Sequence, residues 1–250
     1  MHALLTKSSI SDRMSAILES IDSPHQTIEL VKDRSGIVLL LNGVPQVHSS
    51  EELLYYECVA TIPLMLAWQV QRTVILGGGD GLAAREVVRF EDAEHVTIVE
   101  RDPEIIRLCS QRTEWVKLSE GSLCNPKLKL LISDPIPWLS RSRTTFDVIL
   151  YGLNTDEGAP NADALACVAA KLSPGGVCSL TCPQTGQEAQ RTRSLLEEQF
   201  AWVRQWRIDF PLRGSQTTFF MSNAALTGSR RQPSTPPIYV DEHVMRELLK

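Results

Sequence analysis

Glycines and carboxylates follow three short apolar segments, at the places where parallel strands of a sheet would end. The first segment, TVIL, runs into Gly77, Gly78, Gly79, Asp80 and Gly81 and then into a helix-like stretch. Glycines between a strand and a helix let the backbone approach a ligand closely. No Lys-Ser or Lys-Thr pair follows these glycines, so the loop lacks the sequence that binds a triphosphate.

Two further carboxylates favour an adenosine group as the ligand. Glu100 ends the segment VTIVE, where a carboxylate can accept hydrogen bonds from both hydroxyls of a ribose. Asp134 ends LKLLISD, where a carboxylate can bind the amino group of adenine, and we include the adjoining Pro135 in the predicted cofactor site. Asp80 would repel a pyrophosphate but would attract an ammonium or sulfonium group. From charge alone, the predicted co-substrate is S-adenosylmethionine or its decarboxylated form.

Composition excludes several other classes of function. The net charge of -5 offers no electrostatic surface for nucleic acid, so we expect no nucleic-acid partner. The six cysteines lack the paired spacing of a zinc site, and we predict no bound metal. The sequence has no secretory leader and no run of about 18 apolar residues, so we expect a cytoplasmic protein without a membrane partner.

The hydrophobic pattern changes near residue 70. Before it, residues 27–32, 37–41 and 44–47 predict an antiparallel meander with a turn at Asn42 and Gly43, followed by a helix over 51–68. After it, apolar runs alternate with helix-length segments, which indicates an α/β fold with a mostly parallel sheet. We predict a small N-terminal antiparallel β-domain plus helix (1–70) and a Rossmann-like domain of the class I methyltransferase type (71–250).

With these motifs in place, the chain resembles the spermidine synthase family of aminopropyltransferases. In that family a strand precedes GGGDGG, where this sequence reads GGGDGL. LLLNGVPQVHSSEELLYYE is similar to the family's LDGxxQxxxxDExxYHE, NPKLKLLISDPIPWL to NPRVxxxxGDAxxxL, FDVIL to FDVIIxD, and IYVDEHVMRELL to its C-terminal tail. The resemblance covers most of the chain, from about Thr27 to the end.

The resemblance implies roles for five residues. Asp80 would contact the amine of the donor's side chain, Glu100 the ribose, and Asp134 the adenine. Gln46 would lie close to the thioether product, and Tyr55 would border the tunnel for the acceptor. The resemblance also implies an oligomer, which we expect to be a homodimer.

The acceptor side departs from the family pattern. The family's FDVIIxDxxDPxGP begins with an aspartate that takes a proton from the attacking amine, and FDVILYGLNTDEGAP places Gly152 there. A positioned base typically contributes about 10² to 10⁴ in rate, so its loss with a diamine acceptor would be costly. Tyr151, Asn154 and Asp156 could face the pocket, and with Tyr55 they form our candidate catalytic set.

Three functions remain open at this point. Our main prediction is an S-adenosylmethionine-dependent methyltransferase that acts on a small molecule, because methyl transfer needs mainly alignment. The alternative is transfer of the aminopropyl or aminocarboxypropyl arm, including an intramolecular attack that cyclises the donor. The third is a non-catalytic protein that binds an adenosyl ligand, which the glycine at position 152 suggests.

Overall fold

A four-stranded antiparallel sheet begins the part of the chain that the computed structural model describes, which is residues 14–152, 160–182, 186–212, 214–228 and 231–250. Its strands follow chain order: β1 (Met14–Asp22), β2 (Thr27–Asp33), β3 (Ile37–Leu41) and β4 (Val44–His48). Asn42 and Gly43 both have positive φ, 50° and 71°. That is the two-residue turn whose twist suits a hairpin, as the sequence predicts. β1 is an addition that the pattern did not predict.

The helix that follows, α1, contains a π-helical turn between two α-helical parts. Its parts are Glu52–Tyr56, the π turn Glu57–Thr61 and Ile62–Leu66. Pro63 accounts for the irregularity, because it lacks an N–H and its ring crowds the carbonyl four residues earlier, that of Val59. Ser179 Oγ donates to Val59 O at 2.6 Å and so satisfies this carbonyl. The helix therefore lies where the sequence predicts it, within 51–68, but it is interrupted by a π turn instead of being regular throughout.

Seven strands form the large sheet in the order β10-β11-β9-β8-β5-β6-β7. Their bounds are β5 Arg72–Leu76, β6 His95–Glu100, β7 Leu128–Ile132, β8 Phe146–Tyr151, β9 Leu172–Cys182, β10 Trp202–Phe210 and β11 Gly214–Ser222. β5 to β9 are parallel, whereas β11 runs antiparallel to β9 and to β10. The predicted mostly parallel sheet is confirmed. β5 lies between β6 and β8, where the direction of winding reverses, and ligands bind at such points in open α/β sheets.

Helices cover both faces of this sheet. They are α2 Leu82–Val88, α3 Pro103–Gln111, α4 Thr113–Leu118, α5 Pro135–Arg141, α6 Ala162–Lys171, α7 Gln187–Gln199 and α8 Glu242–Leu248, with a 3₁₀ turn at Ser122–Cys124. Alternate residues of β5 enter different cores: Ile75 packs with α1 and α2, whereas Val74 and Leu76 pack with α5, α6 and α7. Within the described residues no helix is long and apolar enough to span a membrane.

Two boundaries differ from the sequence-based expectation. The sequence Pro174-Gly175-Gly176 is typical of a turn before a strand, but these residues lie within β9, and the pairing of β8 with β9 is irregular there. Gly175 has φ +71° and a Cβ on it would overlap the ring of Trp68, so this bulge requires glycine. The run FFMSNAAL, residues 219–226, predicts a final strand, but the strand occupies Gly214–Ser222 because it pairs in a hairpin with β10, a strand that the sequence pattern does not predict.

Buried charges connect α1 to the rest of the protein. Arg85 on α2 donates to both carboxylate oxygens of Glu52, at 3.0 and 2.7 Å, and to Glu86 at 2.8 Å. All three side chains are buried. Glu57 is 1% exposed and accepts hydrogen bonds from the backbone N–H groups of residues 238–240. The small sheet, α1 and one face of the large sheet also share one hydrophobic cluster. The division into domains at residue 70 stays a prediction.

Candidate active site

A cavity of about 500 Å³ opens where the small sheet meets the carboxyl ends of β5, β6 and β8. Residues of β3, β4 and α1 form one side, and the loops after the parallel strands form the other. Ten residues of the predicted site line it: Gln46, Tyr55, Gly77, Gly78, Gly79, Asp80, Glu100, Asp134, Pro135 and Tyr151. The geometry thus gathers residues that lie up to 105 positions apart in the sequence, from Gln46 to Tyr151.

The glycine loop is folded tightly between β5 and α2. Gly77, Gly78 and Gly81 have φ of 81°, 82° and 82°, values that side chains rarely adopt. A Cβ on Gly79 would lie 2.4 Å from Ile105 and 2.9 Å from the Cγ of Glu100, so glycine is needed for the close packing of these two residues. Gly81 is the N-cap residue of α2 and does not line the cavity, unlike the other predicted glycines.

Asp80 is held at both carboxylate oxygens. The backbone N–H of Leu82 donates to Oδ1 at 2.7 Å, and the hydroxyl of Tyr56 donates to Oδ2 at 3.1 Å. Burial raises the pKa of Asp80, and these two hydrogen bonds act in the opposite direction. The indole N–H of Trp115 also donates to the backbone carbonyl of Asp80, at 2.8 Å. The carboxylate is therefore fixed in position at the cavity wall.

Glu100 is the last residue of β6 and is 8% exposed. It accepts from the N–H groups of Gly79 and Asp102, at 3.2 and 3.0 Å. Asp102 in turn accepts from Ser23 and Gln26 of the small sheet, at 2.7 and 2.9 Å, and this contact fixes the sheet against the end of β6.

Asp134 is exposed at the rim of the cavity, immediately before α5. Pro135, Ile136 and Pro137 lie beside it, and Ile105 lines the same cavity from α3. A flat apolar base can pack between such side chains while its polar edge meets the carboxylate. The arrangement is suited to an adenine.

The opposite part of the lining is aromatic and neutral in the described residues. The ring of Tyr55 contacts Tyr56 edge to face with centroids 5.0 Å apart, and lies 6.0 Å from that of Phe210. Burial raises the pKa of Tyr151 to about 12, so its hydroxyl stays protonated at neutral pH. Gly152 donates its N–H to Leu76 O at 2.9 Å and presents only backbone to the cavity. Asn154 and Asp156 lie outside the described residues.

Tyr56, Gln26 and Ile105 line the cavity but were not in the predicted site. Tyr56 adjoins Tyr55 on the same helix turn. Its proximity to Asp80 depends on how α1 packs against the glycine loop, which the sequence alone does not show. Gln26 lies in the loop between β1 and β2, and the sequence pattern does not predict β1. Among the described residues no group of three His, Cys, Asp or Glu side chains could hold a metal ion.

Comparison with known proteins agrees with this geometry. Residues 52–197 match the model of the spermine/spermidine synthase domain. The chain is 29% identical over 196 residues to the polyamine aminopropyltransferase of Yersinia pestis. This match covers 75% of this chain and 65% of the Yersinia protein. The chain is also 30% identical over 158 residues to polyamine aminopropyltransferase 2 of Ralstonia nicotianae. That match spans 59% of this chain and only 31% of the length of the Ralstonia protein.

Solved structures confirm the predicted fold. A spermidine synthase in complex with the transition-state analogue AdoDATO has a TM-score of 0.82 at 20% identity and covers 94% of this chain and 85% of its own. The spermidine synthase of Thermotoga maritima has a TM-score of 0.81 at 19% identity, with 95% and 85% covered. Since the family model matches more than half of the residues, this chain belongs to the spermine/spermidine synthase family.

Proposed function

We propose that this protein is a transferase that moves the aminopropyl arm of decarboxylated S-adenosylmethionine to a small-molecule acceptor. The observation that supports it most directly is the fixed carboxylate of Asp80 inside a cavity lined also by Glu100 and Asp134. This proposal favours the arm-transfer alternative over methyl transfer, which was the main prediction from the sequence. The names of the relatives favour the same choice.

Charge supports the decarboxylated donor. An arm that ends in an ammonium would pair with Asp80, whereas the carboxylate of full S-adenosylmethionine would add a further negative charge beside Asp80 and Glu100. Arg101 is the cation among the described lining residues, and it is exposed beyond Glu100 at the ribose side. The described hydrogen bonds to the Asp80 carboxylate come from the Leu82 N–H and the Tyr56 hydroxyl rather than from Arg101, so the described wall offers no counter-charge for a donor carboxylate beside Asp80.

The reaction is a displacement at the arm carbon bonded to sulfur. A nucleophile on the acceptor forms the new bond to that carbon while the carbon–sulfur bond breaks. The bonding electrons pass to sulfur, so the sulfonium becomes the neutral thioether of methylthioadenosine, and the proton of the nucleophile leaves to a base or to water. Holding both reactants in line supplies much of the rate.

The acceptor would enter past Tyr55 and Tyr151, opposite the donor carboxylates. Gly152 supplies no side chain to receive the proton, so we propose an acceptor whose nucleophile loses its proton more readily than an alkylammonium does. The hydroxyl of Tyr151, protonated at neutral pH, can donate a hydrogen bond to such an acceptor. Tyr55, Tyr151, Asn154 and Asp156 remain the proposed acceptor-side residues.

The test is product analysis with each donor separately. The protein is incubated with decarboxylated or full S-adenosylmethionine and a panel of diamines, monoamines and neutral nucleophiles, and the products are identified by mass spectrometry. We expect methylthioadenosine from the decarboxylated donor. S-adenosylhomocysteine as the main product would instead support methyl transfer, and tight donor binding without any product would support the non-catalytic alternative.

A variant pair tests the role of Asp80. Asp80→Asn should weaken binding of the decarboxylated donor by about tenfold or more, because a charge-assisted hydrogen bond contributes about 1.5–3 kcal/mol. The matched control is Asp163→Asn, an exposed residue on α6 outside the cavity, which should leave the dissociation constant unchanged. Equal affinity of wild type and Asp80→Asn in calorimetry would refute the pairing of Asp80 with the arm.

A further inference from the structure

We infer that Tyr56 is a positioning residue that keeps the Asp80 carboxylate ionised and aimed for the ammonium of the donor. This inference rests on the proposed function, since it concerns how the charge and orientation of Asp80 are maintained in the same donor site. Tyr56 does not need to touch the reacting atoms; it acts through Asp80. In the motif DExxYHE quoted above, histidine stands opposite Tyr56, so the tyrosine is a departure of this chain from the family pattern.

The geometry carries the inference. The Tyr56 hydroxyl donates to Asp80 Oδ2 at 3.1 Å from α1, whereas the other fixed donor to the carboxylate, the Leu82 N–H, binds Oδ1 from the loop itself. Tyr56 is 7% exposed, and its ring packs edge to face against Tyr55 with an interplanar angle of 88°. A buried ring that is fixed by a neighbour holds its hydroxyl in one place, so the hydrogen bond costs little ordering.

The charged surroundings of Asp80 make this hydrogen bond important. Burial raises the pKa of Asp80 most, and Glu100 on β6 raises it further, while the Leu82 N–H, the Tyr56 hydroxyl and Arg85 on α2 lower it. Arg85 is already committed to Glu52 and Glu86. Cys109 on α3, another titratable neighbour, is itself kept protonated, because burial raises its pKa. Among the described residues, Tyr56 thus provides the side-chain hydrogen bond that directly favours the ionised form of Asp80.

A consequence for donor binding follows from the sign of this effect. Only ionised Asp80 attracts an ammonium, so donor affinity should rise with pH and level off once Asp80 is ionised. Removing the Tyr56 hydroxyl removes a contact that favours the ionised form, so the same rise should occur at higher pH. Methylthioadenosine, which lacks the ammonium, should bind without this dependence.

Tyr56→Phe tests the inference by calorimetry between pH 5.5 and 8.5 with decarboxylated S-adenosylmethionine and, in parallel, methylthioadenosine. We expect donor affinity to fall about tenfold at pH 5.5 and less than about threefold at pH 8.5. Affinity for methylthioadenosine should stay within about twofold throughout, which also shows that the variant is folded. In an Asp80→Asn background the same substitution should have no pH-dependent effect.

Two further variants sharpen the result. Tyr56→Gln retains an N–H that can donate to Asp80 and should keep a wild-type pH profile, and it serves if Tyr56→Phe does not fold. Trp115→Phe removes the hydrogen bond to the backbone carbonyl of Asp80 and should weaken both ligands equally at every pH. A loss in Tyr56→Phe that is the same at all pH values, or the same for methylthioadenosine, would overturn the inference. Failure of the wild type to bind the donor would instead refute the proposed function.

Discussion

Glu57→Gln should destabilise the protein strongly, because the native carboxylate satisfies three backbone donors in a buried place. Ile238 N donates to Oε1 at 2.8 Å, and Tyr239 N and Val240 N donate to Oε2 at 2.6 and 3.3 Å. A glutamine has one carbonyl oxygen, and its NH₂ group would face the remaining N–H groups. With the carbonyl oxygen at the Oε2 position, the N–H of Ile238 loses its acceptor and the other two hydrogen bonds lose their ionic partner, at a residue that is 1% exposed. A buried donor left unpaired costs about 1–3 kcal/mol, and hydrogen bonds to a charged group are about twice as strong as neutral ones.

The expected loss in free energy of unfolding is about 2–5 kcal/mol, which corresponds to a fall in Tm of roughly 6–15 °C for a chain of this size. Urea unfolding followed by circular dichroism measures it, and hydrogen exchange at the amides of residues 238–240 should accelerate. Glu198→Gln, at an exposed position on α7, is the matched control and should change stability by less than about 0.5 kcal/mol. If Glu57→Gln unfolds at the same urea concentration as that control, the three hydrogen bonds from residues 238–240 to Glu57 do not contribute this stability.

Two other substitutions follow from the structure. Gly152→Asp should raise methylthioadenosine release with a diamine acceptor by about 10² at neutral pH, since it supplies a base at the family's position. Gly152→Ala makes the same 3.2 Å contact of Cβ with Leu76 O, so a similar rise in that variant would refute the role of the carboxylate. Arg85→Met should lower the free energy of unfolding by about 3–5 kcal/mol, because Glu52 and Glu86 keep buried charges, and a loss below about 1 kcal/mol in urea unfolding would contradict this.

Local patterns were sufficient to predict most of the fold. The Asn42-Gly43 turn, the parallel strands and the glycine loop all depend on neighbours in the sequence, and the structure has them at the expected places. The π turn also has a local signal, which is Pro63 inside a helical pattern. The apolar residues keep helical spacing on both sides of Pro63, so their pattern predicts a continuous helix. β10 was missed because its strand character depends on pairing with β11.

Contacts between distant segments could not be predicted in this way. The hydrogen bond from Tyr56 to Asp80 joins an aromatic residue on α1 to a loop 24 residues later in the sequence. The hydrogen bond from the Tyr239 N–H to Glu57 joins residues that are 182 positions apart. Nothing in the spacing of either residue indicates its partner. The resemblance assigns roles to Asp80, Glu100 and Asp134 because these residues belong to family motifs. Tyr56 departs from its motif, so the resemblance assigns it no role.

The buried network around Arg85 restricts how this chain can change over generations. Replacing Glu52 or Arg85 alone leaves an uncompensated charge in the interior, whereas replacing the pair by apolar residues of similar volume can be neutral or favourable. A lineage can therefore leave this arrangement only by passing through a poorly folded intermediate or by changing several positions together. Related sequences should accordingly show Glu52 and Arg85 either both present or both replaced, whereas Glu86, which also pairs with Arg89 at 2.9 Å, can vary separately.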